Sequence, residues 1–209
     1  MSATLPAMTT EDIVGLAPVI PVVVIDDLDH AVPLASALVR GGLPAIEVTL
    51  RTPAALAAIE RIAAAVPGAV VGAGTVTTSQ QVDEALAAGA RFLVSPGATP
   101  NLLDALQAGG VPFLPGTATA SDIVALIERG ITHAKLFPAE VVGGVAALKA
   151  FAGPFPQMRF CPTGGITVNN APDYLALPNV VCVGGSWMAK PGDWGAVEAL
   201  ARAAAGSGG

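Results

Sequence analysis

Two alternating patterns divide the chain. Short apolar runs with a period of two are read as strands at Val19–Ile25, Ala45–Leu50, Ala69–Ala73, Arg91–Ser95, Val111–Leu114, Thr132–Phe137, Arg159–Pro162 and Val180–Val183. Each is followed by a segment of helical periodicity: Leu28–Arg40, Pro53–Ala65, Ser79–Ala88, Asn101–Ala108, Ala120–Ile127, Gly144–Phe151, Ala171–Leu175 and Trp194–Ala205. A further short helix begins at Thr9-Thr10-Glu11-Asp12, a threonine cap with acids in the first turn. Strand–helix units repeated in this way predict a parallel sheet, and eight of them predict a closed (β/α)8 barrel with a short N-terminal helix. A doubly wound open sheet is the alternative. No linker or charge run divides the chain, so residues 1–205 are expected to form one domain and 206–209, Gly-Ser-Gly-Gly, a flexible tail.

Composition narrows the function classes. Of 209 residues, 53% are hydrophobic and only 12% charged, which suggests that oligomer contacts cover part of the surface. No apolar run is long enough for a membrane span, and the start MSATLPAMTTED lacks the basic and apolar regions of a signal peptide; a cytoplasmic protein is expected. The net charge of −6 with scattered basic residues argues against nucleic acid and anionic membrane as partners. Neither exclusion touches a small anionic ligand. Cys161 and Cys182 are expected as buried free thiols, and no histidine or cysteine spacing suggests a metal site.

The stretch Ile131–Glu140, ITHAKLFPAE, carries the first candidate chemistry. As a strand it sends His133, Lys135 and Phe137 to one face and Ala134 and Leu136 to the other. Lysine is rarely buried without a partner or a role. Lys149, in a helix, and Lys190, before Pro191, read as solvated lysines, whereas Lys135 has apolar neighbours. Desolvation favours a neutral amine, which is a nucleophile toward carbonyls. A lysine whose stem packs while its head reaches water fits the same segment. His30, in the first turn of a helix, reads as a surface or packing residue.

In a barrel, functional groups come from the C-terminal ends of strands and the loops that follow. Strand two places Glu47, Thr49 and Arg51 on the inward face, where unpaired charges are costly. A structural Glu47–Arg51 pair is one explanation, but four residues of strand separate them by roughly 13 Å. Strand three ends Gly72-Ala73-Gly74-Thr75 and strand four Ser95-Pro96-Gly97. Strand seven ends Pro162-Thr163-Gly164-Gly165 and strand eight Gly184-Gly185-Ser186-Trp187. Glycine-rich loops after strands seven and eight are where such barrels hold phosphate.

Together, Glu47-Val-Thr-Leu-Arg51-Thr, Gly72-Ala-Gly-Thr75-Val, Ser95-Pro-Gly97, Lys135-Leu-Phe-Pro-Ala-Glu140, Pro162-Thr-Gly-Gly165 and Gly184-Gly-Ser186-Trp resemble 2-keto-3-deoxy-6-phosphogluconate (KDPG) aldolase, of the bifunctional type that also cleaves 4-hydroxy-2-oxoglutarate (KHG). The resemblance runs from about Val14 to Leu200. It implies a metal-independent, cofactor-free lyase of the Entner–Doudoroff pathway and a homotrimer. It implies that Lys135 forms a Schiff base with the substrate ketone and that Glu47 moves protons through a water. By the same resemblance Arg51 and Thr75 bind the pyruvoyl carboxylate, Phe137 packs beside the Schiff base, Thr163 contacts substrate, and Gly164, Gly165, Gly185 and Ser186 hold phosphate. Some members carry an arginine at the end of strand one; Val24-Ile25 stands there in this chain, leaving the carboxylate to Arg51. Two other readings use the same residues: a phosphate-binding barrel isomerase in which Lys135 acts only through its charge, and a non-catalytic or re-engineered trimeric scaffold.

Overall fold

The computed structural model describes residues 8–190 and 192–208. The fold is α/β, with every strand pairing parallel. The chain opens with helix α1 (Thr10–Val14), whose cap is reciprocal: the Thr9 hydroxyl accepts from the Asp12 amide, and the Asp12 carboxylate accepts from the Thr9 amide. Six strands form one curled sheet: β1 (Val19–Val23), β2 (Ala45–Thr49), β3 (Val70–Gly74), β4 (Leu93–Val94), β5 (Phe113–Leu114) and, beside β1, β9 (Val183–Gly185). A second sheet has β7 (His133–Leu136) between β6 (Gly116–Thr117) and β8 (Arg159–Pro162). The connecting helices are α2 (Ala31–Arg40), α3 (Ala55–Ala65), α4 (Ser79–Ala87), α5 (Pro100–Ala108), α6 (Ala120–Ile127), α7 (Gly144–Ala152), α8 (Ala171–Leu175) and α9 (Trp194–Ala205). Among the described residues no helix is long and apolar enough to cross a membrane.

Side-chain parity sorts the interior into two cores. Val19, Val23, Ile46, Val48, Ala134 and Leu136 belong to the outer core between strands and helices. Their neighbours in sequence point the other way: Ile20, Ala45, Val70, Phe92, Cys161 and Cys182 form an inner core, joined by Ile13 and Val14 of α1. This inner core draws on strands of both sheets, and α1 closes it at the N-terminal end. Cys161 and Cys182 are free and buried there.

Three boundaries depart from the sequence pattern. The fifth predicted strand, Val111–Leu114, forms only as Phe113–Leu114, and a separate strand, Gly116–Thr117, follows Pro115. Proline has no N–H for the ladder, so β5 pairs with β4 while β6, beyond it, pairs with β7. The eighth strand begins at Val183 rather than Val180, because Val180 bridges back to Phe160 before the chain joins β1. The second ends at Thr49, so Arg51 sits in the turn that follows. At the end of the chain Gly206–Gly208 forms a 3-10 turn where the composition suggests a flexible tail, with the Ser207 hydroxyl donating to the Ala204 carbonyl at 2.6 Å. His30 packs edge-on against Trp194, ring centroids 5.5 Å apart, in keeping with a packing role.

Candidate active site

Lys135 occupies the middle of β7, in register with Gly116 of β6 and Cys161 of β8. Its backbone is tied on both sides: its amide donates to the Pro115 carbonyl at 2.9 Å, and its carbonyl accepts from the Thr117 hydroxyl at 3.2 Å. The side chain runs inward. Its Nζ lies 3.1 Å from Oε1 and 3.5 Å from Oε2 of Glu47, which projects from β2 in the other sheet. Both side chains are only 4% exposed. By contrast, Lys149 and Lys190 are exposed, as their sequence context suggests. The Phe137 ring completes the surroundings, its centroid 5.2 Å from Nζ.

Glu47 has this room because Gly74 has no side chain. A Cβ at Gly74 would lie 2.1 Å from Oε1 of Glu47. Taking two charges out of water costs several kcal/mol per ion, and a packed apolar pair is often more stable than a buried ion pair. Stability therefore does not account for the pair. A carboxylate at hydrogen-bond distance can take the ammonium proton and leave the amine able to attack a carbonyl.

Arg51 does not pair with Glu47. Its Nε donates to the Thr75 hydroxyl at 3.2 Å. Thr75 has φ 60°, the one positive φ outside glycine among the described residues. The inward position that sequence parity gives Thr49 is occupied by a buried hydroxyl donating to the Val23 carbonyl at 3.1 Å.

A cavity of about 410 Å³ opens at the C-terminal ends of the strands. Arg51 and Phe137 line it, as do Thr163, Gly164 and Gly165 after β8 and Gly185 and Ser186 around the end of β9. Glu47 and Lys135 do not line it. They stand behind two residues that do line it: Phe137, whose ring is 5.2 Å from Lys135 Nζ, and Val22, in register with Glu47. Thr75 joins it only through Arg51. The two glycine loops are shaped by close contacts: a Cβ at Gly184 would lie 2.2 Å from the Thr163 hydroxyl, and one at Gly185 would lie 1.9 Å from the Trp187 ring. Gly164 and Gly165 have φ of 100° and 80°. Sequence reasoning assigned no role to Val24, Glu140 and Val141, which also line the cavity. Glu140 stands in the same motif as Lys135, just past the strand end, and that placement was its available signal.

The arrangement coincides with a known family. A family model for the KDPG and KHG aldolases matches residues 10–200. The chain belongs to the KDPG and KHG aldolase family. It is 52% identical to the 2-dehydro-3-deoxy-phosphogluconate aldolase of Pseudoalteromonas atlantica over 202 residues, covering 94% of each chain. The solved 2-keto-3-deoxy-6-phosphogluconate aldolase of Zymomonas mobilis is 49% identical and superposes with a TM-score of 0.93, covering 95% of this chain and 97% of that one. The KDPG aldolase of Legionella pneumophila is 45% identical, with a TM-score of 0.92 and coverage of 95% and 98%; its structure holds pyruvate captured at low pH as a covalent carbinolamine intermediate.

Proposed function

We propose that this protein is a class I aldolase that cleaves KDPG to pyruvate and D-glyceraldehyde 3-phosphate, and KHG to pyruvate and glyoxylate. The observation that carries the reading is the buried Lys135–Glu47 contact of 3.1 Å beside a cavity lined by Arg51, Phe137 and two glycine loops. The Lys135 amine adds to the C2 ketone, and loss of water from the carbinolamine leaves an iminium. Glu47, through a water, takes the proton of the C4 hydroxyl; the C3–C4 bond breaks, and its electron pair moves into the iminium to give an enamine. The aldehyde departs, C3 takes up a proton, and water releases pyruvate from Lys135. The iminium is the electron sink, so the step needs no metal or cofactor. Arg51, held by Thr75, takes the pyruvoyl carboxylate; Phe137 and Thr163 flank the chain; Gly164, Gly165, Gly185 and Ser186 take the phosphate.

The wider architecture is part of the proposal. The two sheets are read as arcs of one closed (β/α)8 barrel forming a single domain. In support, the Phe160–Val180 and Thr163–Gly184 bridges join β8 to the β9 segment, and Pro115 alone separates β5 from β6. A homotrimer in the cytoplasm, without nucleic acid or membrane partners, belongs to the same reading; the low charge and exposed apolar side chains such as Val141 and Val168, 82% and 57% exposed, support contacts between copies. Light scattering that returns a monomer would remove the trimer.

The deciding experiment is borohydride reduction in the presence of pyruvate, followed by peptide mass spectrometry. One pyruvate-derived group on the peptide containing Lys135 is expected. A label on Lys149 or Lys190, or none, would leave Lys135 a purely electrostatic group and favour an isomerase.

A further inference from the structure

The loop after β8 is held from behind by residues with no place in the chemistry described so far. Asn170, just before α8, accepts the Thr167 amide on Oδ1 at 2.7 Å and the Thr167 hydroxyl at 3.2 Å; its Nδ2 donates to the Gly165 carbonyl at 3.1 Å. On the other side the Glu140 amide donates to the Gly164 carbonyl at 3.1 Å. The Glu140 stem fills the space a side chain on Gly165 would need, since a Cβ there would lie 2.5 Å from Cγ of Glu140. The carboxylate of Glu140 is fixed in turn by the hydroxyl of Tyr174, a buried residue of α8. Gly144 leaves space for that hydroxyl, because a Cβ at Gly144 would lie 2.6 Å from it.

Peptide geometry converts these contacts into a direction. In a trans peptide the carbonyl of one residue and the amide of the next point opposite ways. Glu140 holds the Gly164 carbonyl, so the Gly165 amide points away from Glu140. Asn170 holds the Gly165 carbonyl, so the Ile166 amide points away from Asn170. Among the described residues no hydrogen bond is recorded for the amides of Gly165 or Ile166, and both residues line the cavity.

We infer that Asn170 and Tyr174 are positioning residues for the phosphate end of the substrate, Asn170 directly and Tyr174 through Glu140, because they fix the carbonyls that aim the Gly165 and Ile166 amides into the cavity. The inference rests on the proposed reading of that end as a phosphate-monoester site. A carboxylate at its wall would oppose a phosphate dianion, and the Tyr174 hydrogen bond turns one carboxylate oxygen toward α8 instead. Burial, the hydrogen bond to Glu140 and the negative charge of Glu140 push the tyrosine hydroxyl well above its ordinary pKa, so it remains a donor at neutral pH.

The test compares Tyr174→Phe and Asn170→Asp with wild type on two substrates. Asn170→Asp keeps the acceptor for Thr167 and removes the donor to Gly165. Both variants should raise KM for KDPG about 10-fold, the effect of one displaced hydrogen bond, with kcat nearly unchanged. Their kinetics on KHG, which carries no phosphate, should stay within about twofold of wild type. Glu140→Gln, which still accepts from Tyr174, should retain the wild-type KM for KDPG. In a second readout, inorganic phosphate is titrated while the NMR amide signals of Gly165 and Ile166 are followed; it should bind the two variants about 10-fold more weakly. Equal losses on both substrates, or unchanged phosphate affinity, would overturn the inference. A wild-type protein that cleaves neither substrate would defeat the functional reading, and the phosphate titration would still decide this one.

Discussion

The Nε of Arg51 donates to the hydroxyl of Thr75, and Thr75 holds the left-handed backbone that presents it. A β-branched residue at φ 60° costs of the order of 1–3 kcal/mol, and such strain persists where the surrounding structure enforces it. Glycine would relieve the strain at the expense of about 0.5–1 kcal/mol of backbone entropy. Thr75→Gly is therefore expected to stabilise the protein by about 1 kcal/mol, raising Tm by ~2–4 °C. The same change should raise KM for KDPG and KHG alike, since the proposed reading places the pyruvoyl carboxylate of both on Arg51. Calorimetry and steady-state kinetics on one preparation check both halves.

The Lys135–Glu47 pair makes a separate prediction about stability. Lys135→Met strands a buried carboxylate and should cost about 3–5 kcal/mol in urea unfolding. Lys135→Met combined with Glu47→Leu removes both charges and should recover most of that loss. A double variant no more stable than the single one would contradict the account of the pair as costly and retained for chemistry.

Glu47→Gln tests the chemistry itself. The amide keeps the shape of the side chain but cannot relay the proton. Turnover should fall roughly 10²–10⁴-fold with the fold intact by circular dichroism. Wild-type turnover in this variant would return Glu47 to a structural role.

Ser186 ends the cradle after β9, and neither Thr163–Gly165 nor Gly184–Ser186 includes a lysine or arginine. Phosphate would be held there by dipoles and one hydroxyl, far from the bond that breaks. Ser186→Ala should therefore lower kcat/KM for KDPG about 10-fold and leave KHG cleavage nearly unchanged. Kinetics of both substrates on both proteins settle the matter, and equal losses would move Ser186 out of the site.

His133 lies on the same face of β7 as Lys135, half-buried, two residues toward the N-terminal end. Burial pushes its imidazole below the usual 6.5, with Glu11 opposing the shift and Arg159 adding to it. The unfolded chain then binds the proton first as pH falls, so stability is full above about pH 6.5 and declines below it toward the lower folded value. His133→Gln should flatten this part of the Tm–pH profile between about pH 7 and pH 5. An unchanged slope would place the titrating group elsewhere.

The strand–helix repeat and the inward face of β7 were legible in the sequence because parity and periodicity are local. So were Lys135, Glu47 and the two glycine loops, as residue types out of keeping with their surroundings. What was not legible is relational. Glu47 and Lys135 stand 88 positions apart, and nothing local says that Glu47 meets a lysine rather than Arg51. The division at Pro115 follows from a missing N–H that matters only once the neighbouring strands are known. The left-handed backbone of Thr75 runs against residue preference. Asn170, Tyr174 and Glu140 look like ordinary polar residues of a loop and a short helix until Gly165 is placed between them.

The inner core below Lys135 has a kinetic consequence. Ile13, Val14 and Ile20 pack in that inner core, whereas the cavity opens at the C-terminal ends of the strands. In the proposed reading, what is bonded to Lys135 sits toward that core, and the phosphorylated fragment lies between it and solvent. The two products must then queue: the aldehyde leaves first, and pyruvate cannot pass it. In the reverse direction pyruvate enters first and the aldehyde arrives on top of it. Product inhibition should carry the signature of a fixed sequence, with pyruvate alone competing with KDPG for the free enzyme.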